Sequence, residues 1–478
     1  MSRRVIHSVG IDIGTTTTQV IFSQLELVNR APASQVPHYE FTRREIVYVS
    51  PVVFTPLDAN GDVNQGELMR FIQSQYQAAG LDTEKVESGA IIITGETSKA
   101  KNARLTIMEL AKTLGDFVVA TAGPHLESII AGQGSGAYAY SKEHACRVLN
   151  IDIGGGTSNY VVFENGRVAD TACLNVGGHL VETYADGRIK AVREPARTMA
   201  RHCFGAGFEP MQMTRAQLDT LMNFMAQLIV EVVRGTPSPA AQQLLMTDRL
   251  KLNQAQPYAQ IFISGGVGEC FYEPQNTVNP FMFGDTGPLL AQALHQQNEL
   301  TALTRVKPKQ TVRATVIGAG AYTLSLSGST IWLSASHLPI QNVPVLKPHL
   351  LWSVQAVDQL VSAWQLAAQR MDLDLSSDLY ALSVPDDMAV TYKEVLAVVQ
   401  ALTAFNAQYP NNRHPLLVMA KQDLGKVLGM ELQPVLRGRE LAVIDEVDTK
   451  EGDFVDIGKP FFGGEIVPFT VKSLAFPS

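Results

Sequence analysis

The chain is 478 residues long, more than a single hydrophobic core accommodates, so division into two to four domains is expected. Hydrophobic residues make up 46% and charged residues 18%, while 38 basic against 46 acidic side chains leave a net charge of -8. That balance excludes the electrostatic footprint of a nucleic-acid binder or of a protein held on an anionic membrane, and leaves proteins and small molecules as the expected partners.

The opening MSRRVIHSVG is basic but runs into a strand containing Asp12 rather than an apolar signal core, so a cytoplasmic protein is expected. The stretch VGIDIGTTTTQVIF, residues 9 to 22, reads as an apolar strand, an Asp, a tight Gly/Thr turn and a second strand. In it Gly14 lets the turn approach a phosphate and the amides and hydroxyls of Thr15 and Thr16 offer donors, while Asp12 faces a divalent cation through water. Ordinary β-hairpins use the same residue types, so this motif alone leaves both readings open. Strands are expected at Ala90 to Thr94 and Val118 to Thr121. Between them the loop Thr94 to Asn102 carries Lys99, read as a solvated residue in preference to a phosphate ligand.

Leu126 to Ala137 has helical spacing and many small residues, a surface that allows close helix contact between two lobes. Its GQGSGA segment follows a helical pattern rather than a strand, so the dinucleotide reading is rejected. Residues 148 to 163, VLNIDIGGGTSNYVVF, then repeat the first hairpin in enlarged form, some 140 residues on. Asp152 leads this loop; Gly154, Gly155 and Gly156 expose consecutive backbone N-H groups to an anion; Thr157 is placed to hold a γ-phosphate or an attacking water. Two such loops led by carboxylates suggest two halves closing on one nucleotide and its metal ion.

Further along, Leu221 to Val233 is interrupted by Asn223, Gln227 and Glu231 and suits an amphipathic helix rather than a membrane span. Ile261 to Gly268 reads as a buried strand ending in glycines, with Gly265 and Gly266 able to lie against adenine or ribose. No CxxC pair occurs among Cys146, Cys173, Cys203 and Cys270, so reduced buried thiols are expected, and His202 beside Cys203 is structural. Connections are expected at LNQAQPYAQ and from Ser327, and a domain boundary near residue 340. Beyond it helices at 352–371 and 392–409 alternate with strands at 379–384, 416–420 and 441–447, a smaller α/β layer. The acidic residues Asp445, Glu446, Asp448, Glu451, Asp453 and Asp456 read as a solvated turn between strands.

Phosphate hairpin, small-residue helix, second phosphate hairpin, Gly-Gly strand and Val316 to Ala321, in that order, resemble the actin, Hsp70 and sugar-kinase superfamily over about residues 5 to 335. The resemblance implies an α/β fold, an actin/Hsp70-like (ribonuclease H-like) two-lobed ATPase core at 1–340, with a smaller C-terminal α/β domain at 341–478 serving as a partner-binding part. It assigns Asp12, Gly14, Thr15 and Thr16 to the first phosphate loop and Asp152, Gly154 to Gly156 and Thr157 to the second. It further assigns Gly177 and Gly178, in LNVGGH, to the turn that approaches the γ-phosphate, and Gly265 and Gly266 to adenosine. Where Hsp70-like chains place an Asp two residues after the loop Thr, this chain has Asn159, a poor base, so slow turnover is expected. Glu127 stands where Hsp70-like chains carry a helix-capping Glu near the site and is a further candidate for positioning water.

The four-threonine loop, ITGETSKAKNAR, Asn159 and the ending DFVDIGKPF through VPFTVKSLAF resemble, over the full length, the ethanolamine ammonia-lyase reactivating factors of ethanolamine utilisation. Members of that family are ATP-dependent chaperones that release damaged or adenosyl-lacking cobalamin from the inactivated lyase so that adenosylcobalamin enters. The resemblance implies ATP and Mg²⁺ as cofactors, ethanolamine ammonia-lyase as partner, and cobalamin carried by that partner. It is compatible with a homo-oligomer and with work in the cytoplasm, free or with a bacterial microcompartment. A small-molecule kinase and a filament-forming actin-like ATPase stand as alternatives; no Asp beyond the metal pair suggests itself as a kinase base. Removal of residues 340–478 is expected to spare nucleotide binding and impair partner recognition.

Overall fold

The computed structural model describes residues 3–14, 17–29, 39–58, 62–82, 86–93, 117–121, 123–251, 257–274, 278–308, 321–326, 331–334, 338–354, 356–458 and 468–473. Thr15, Thr16, the Lys99 loop and Val316 to Gly320 lie outside them.

The first lobe is built on the strands β1 (Arg3–Ile13), β2 (Thr17–Asn29), β3 (Tyr39–Val49), β4 (Val53–Phe54), β5 (Val86–Ile93) and β6 (Phe117–Thr121). They form one sheet in the order β3-β2-β1-β5-β6, with β4 on the end of β2; β1 and β2 are an antiparallel hairpin, and β5 joins β1 in parallel. Helix α1 (Gln65–Ala79), capped by Asn64, lays Leu68, Ile72 and Tyr76 on this sheet against Val9, Ile11 and Phe22.

The second lobe opens with helix α2 (Pro124–Gly134) and repeats the plan. β7 (Arg147–Ile153) and β8 (Ser158–Glu164) form the second hairpin, β9 (Arg167–Leu174) extends it, and a small hairpin β10 (Val181–Thr183) and β11 (Ile189–Val192) follows. β12 (Gln260–Ser264) then adds in parallel to β7, giving β9-β8-β7-β12, the same hairpin-plus-parallel-strand order as in the first lobe. Strands β7 and β12 are buried along their whole length, which explains their continuous apolar reading. The Leu221 to Val233 stretch lies in α3 (Arg215–Val233), started by a Thr214/Gln217 capping box; Asn223 and Gln227 face solvent, whereas Glu231 is buried and caps Ser238. Helices α4 (Gly265–Tyr272) and α5 (Gly287–His295) complete this layer.

The small residues of α2 pack on the sheet rather than on a helix of another lobe. A Cβ at Gly132 would stand 2.4 Å from Val161 Cγ1 and 2.7 Å from Phe163, so the stripe exists to seat α2 on β8. A helix of the C-terminal layer also packs against α2, through Leu126 and Ile130.

That layer holds β13 (Ala321–Leu326), β14 (Trp332–Leu333), β15 (Ile340–Leu346), β16 (Ala381–Ser383), β17 (Leu416–Met419), β18 (Leu441–Ile444), β19 (Asp453–Ile457) and β20 (Pro468–Ser473). They form one sheet in the order β13-β20-β19-β15-β16-β17-β18-β14 with a parallel centre, crossed by α6 (Val357–Arg370), α7 (Tyr392–Gln408) and α8 (Gly425–Val435). The helix expected from 352 begins at 357; the Trp352 N-H ahead of it donates to Asp387. Among the cysteines only Cys173 is fully buried; Cys146, Cys203 and Cys270 are half-buried, and all four are free thiols.

The acidic run from Asp445 is not a solvated turn. Asp445 is buried and accepts from Gly425 N-H at the start of α8, Glu451 pairs with Arg370 and His349, Asp453 takes the N-H of Lys450, and Asp456 takes Asn342 N-H and Lys472. Only Glu446 and Asp448 are exposed; the others organise backbone, a role composition does not distinguish from solvation.

Candidate functional site

Each hairpin closes with the same turn. Gly14 N-H donates to Thr17 C=O at 2.9 Å, and Gly154 N-H donates to Thr157 C=O at 3.0 Å. Each turn is also gripped from a neighbouring segment. Thr55 Oγ1 donates to Gly14 C=O at 2.7 Å and meets Thr18 Oγ1 at 3.0 Å. In the second lobe Gly178 N-H donates to Gly154 C=O at 2.9 Å, and Ser158 Oγ donates to Val176 C=O at 2.7 Å. Thr18 and Ser158 occupy equivalent places in the two hairpins, so the internal repeat extends from the loops to what holds them.

Both turns open onto one cavity of about 810 Å³. Of the sequence-predicted residues, Asp12, Gly14, Glu127, Asp152, Gly154, Gly155, Gly156, Thr157, Gly178, Gly265 and Gly266 line it. Gly177 and Asn159 do not stand on its wall. Gly177 lies behind the second loop, where a Cβ would be 2.6 Å from the Gly155 carbonyl, and so lets LNVGGH press against the loop. Asn159 lies beneath the floor, 2% exposed, with Nδ2 3.5 Å from Thr157 Oγ1 and Oδ1 buried without a hydrogen-bond partner.

Asp152 sits at the end of a buried polar chain in which Asn150 Nδ2 donates to Ser264 Oγ at 3.1 Å, and Ser264 Oγ donates to Asp152 Oδ1 at 2.6 Å. Burial pushes its carboxyl up to about 6, the Ser264 hydrogen bond opposing only part of this. A carboxylate so desolvated favours a cation beside it. Among the described residues no three His, Cys, Asp or Glu cluster to hold a metal by themselves, so a cation here would need a ligand's oxygens in addition to the two aspartates.

Sequence reasoning missed several lining residues: Thr17 and Phe54 of the first lobe, and His179, Glu269, Cys270 and Asp285 of the second. Asp285 is also the further cleft aspartate that the sequence did not suggest. Its Oδ2 meets His179 Nδ1 at 3.2 Å and its Oδ1 accepts from Gly287 N-H at 2.9 Å at the start of α5. His179 N-H in turn donates to Gly155 C=O at 2.7 Å, so this pair supports the second loop, and its ring lies 5.9 Å from that of Phe54 across the cleft. No motif flags this pair, because its members are 106 positions apart.

The repeated hairpin-plus-parallel-strand sheets, with a phosphate-sized turn from each meeting at one cavity, define the two-lobed actin/Hsp70-like ATPase fold. The chain belongs to the family described as ethanolamine utilisation protein EutA, which matches residues 4–477. It is 55% identical, over the whole length of both chains, to ethanolamine ammonia-lyase reactivase EutA of Escherichia coli K12, and 55% identical over the whole of both to the protein of that name from Salmonella typhimurium LT2. A solved Ppx/GppA family member from Aquifex aeolicus aligns at 15% identity over 66% of this chain and 97% of its own, with a TM-score of 0.38. Among the described residues no helix is long and apolar enough to cross a membrane.

Proposed function

We propose that this chain is an ATP-dependent reactivase of ethanolamine ammonia-lyase, releasing damaged or inactive cobalamin from that enzyme so that adenosylcobalamin rebinds. The observation that carries the nucleotide part is the convergence of two carboxylate-led glycine turns on one cavity. The partner part is supported by full-length identity of 55% to proteins named for that role.

In this reading Gly14, Thr15, Thr16, Gly154, Gly155 and Gly156 hold phosphates, Gly177 and Gly178 set the γ-phosphate side, and Gly265 and Gly266 face adenosine. Asp12 and Asp152 would hold Mg²⁺, and the ion would supply neutralisation of phosphate charge. Thr157 and Glu127 orient the attacking water; Asn159 acts from below through the Thr157 hydroxyl and, being an amide, keeps hydrolysis slow. Asp285 is held by His179 and by the Gly287 N-H, which favours a part in supporting the second loop over that of a kinase base.

The C-terminal part, 341–478, contributes a partner surface. Tyr392, Val427, Met430 and Val435 are large exposed apolar residues on α7 and α8, and Tyr392 Oη bonds Glu431 at 3.0 Å between the two helices. Nucleotide coupling between two states is commonly worth about 1 to 3 kcal/mol. Shifting a partner from mostly closed to mostly open takes about 5.5 kcal/mol, so hydrolysis or several partner contacts must add to nucleotide binding. The cobalamin is bound by the lyase and not by this chain, and the work is done in the cytoplasm or at a microcompartment.

The test is ATP consumption measured beside cobalamin release from ethanolamine ammonia-lyase loaded with an inactive cobalamin. Release that requires both ATP and Mg²⁺ supports the proposal; hydrolysis without release removes the reactivase part and returns the kinase and filament alternatives.

A further inference from the structure

Helix α2 begins at Gly123–Pro124, and its N-cap, Gly123, has no side chain to satisfy the free N-H groups of the first turn. The missing cap comes from the far side of the sequence. Asp372, two residues past the end of α6, accepts from Leu126 N-H at 2.9 Å through Oδ2 and also from the backbone of His125. The approach is close: a Cβ on Gly123 would stand 2.4 Å from Asp372 Cγ, so only glycine leaves room. Asp372 itself adopts φ +55, a conformation that Asp tolerates better than most residues, and this turns the carboxylate out of α6.

A second strut lies beside it. Arg370, buried, donates through Nη2 to Val168 C=O on β9 at 2.7 Å and through Nη1 to Glu451 at 2.8 Å. Leu126 and Ile130 of α2 share one apolar cluster with Leu360 and Trp364 of α6. The opposite face of α2 rests on β8 through Gly132. The helix is thus clamped between the nucleotide-site sheet and the C-terminal layer. Glu127, in its first turn, lines the nucleotide cavity, while Gln133, in its last, lines a separate cavity of about 530 Å³ together with Lys347, His349 and Glu451.

We propose that Asp372 is a positioning residue for the cleft: by capping α2 from the C-terminal layer it fixes Glu127, so that displacement of that layer by a partner is felt at the nucleotide. This rests on the nucleotide reading of the cavity. A cap supplied within the first turn's own loop would hold α2 regardless of where the C-terminal layer sits; a cap supplied by Asp372 makes the helix start depend on it.

The experiment compares full-length wild type, Asp372→Ala and Asp372→Asn by amide hydrogen exchange and steady-state phosphate release. Asn caps as well as Asp, so exchange over residues 124–128 should quicken about fivefold to tenfold in the Ala variant and stay near wild type in the Asn variant. The Ala variant should lose kcat with little change in KM for ATP, and the Asn variant should retain it. Equal exchange in all three, an Asn variant as impaired as Ala, or an Ala variant with unchanged kcat overturns the proposal. Should the Ala variant not fold, wild type alone suffices: Mg-ADP should slow exchange at 371–373 severalfold, and no change there is refuting. Wild type that binds no Mg-ADP by calorimetry overturns the nucleotide reading instead, while the exchange at 124–128 still decides the cap.

Discussion

Asn159 stands directly opposite Asp152 across the second hairpin, as Gln19 stands opposite Asp12 across the first. Each of the two carboxylates therefore has a neutral amide beside it on the same sheet face. Asn159→Asp would set two carboxylates side by side at a position 2% exposed. Without a cation we expect a loss of about 1 to 3 kcal/mol at pH 8, and less at pH 5 where one carboxyl is protonated. With Mg-ATP, phosphate release should rise severalfold, because a carboxylate beneath Thr157 can take a proton that an amide cannot. A rate unchanged or lowered removes position 159 from the chemistry.

Asp152 couples stability to pH in the direction opposite to a salt-bridged carboxylate. Its folded-state value of about 6 lies above the ordinary 3.8, so the native state keeps the proton longer than the unfolded chain. Its contribution is present in full below about pH 4 and is lost as pH rises through about 6. Asp152→Asn should leave stability near pH 4 little changed and raise that of the nucleotide-free protein at pH 8 by roughly 1 to 3 kcal/mol. The same change, like Asp12→Ala, should abolish Mg-ATP turnover. Urea melts at the two pH values beside a phosphate assay check both; retained turnover would rule out the cation assignment.

Gly177 is expected to matter although it does not line the cavity. Alanine there places Cβ 2.6 Å from the Gly155 carbonyl and 2.7 Å from Gly156 N, atoms of the second loop's own backbone. The loop must move, so ADP affinity by calorimetry should fall tenfold or more, with about 1 to 3 kcal/mol of stability. Gly207→Ala, whose added Cβ meets nothing within 4 Å, is the control and should bind as wild type does.

What could be read in the chain divides along physical lines. The two hairpins were legible because a strand, an Asp, a glycine turn and a strand are contiguous, and the turn chemistry dictates the local fold. The alternation beyond residue 340 was legible for the same reason: α7 occupies 392–408 against an expected 392–409, and β17 occupies 416–419 against 416–420. The His179–Asp285 pair, Thr55 on Gly14 and Asp372 on α2 were not, since each joins distant segments through one side chain. The small residues of α2 signalled close packing, and at Gly132 that packing is against β8, since a glycine face suits a sheet as well as a helix. The acidic run was misread because a carboxylate that organises a turn and one that faces water have the same composition.

Removal of residues 340–478 tests how separable the C-terminal layer is, and the contacts argue against the expectation that nucleotide binding survives it. The cut strips β13 of its partner β20 and bares Leu126 and Ile130, which are 2% and 1% exposed in the whole chain. Uncovering two such side chains costs about 3 to 6 kcal/mol, a large share of what holds a domain together. It also removes Asp372 from the start of α2 and Arg370 from Val168. The truncated chain should therefore be aggregation-prone and bind ADP at least tenfold more weakly, by gel filtration and calorimetry. A monomer with wild-type affinity would show that α2 holds its place without the C-terminal layer.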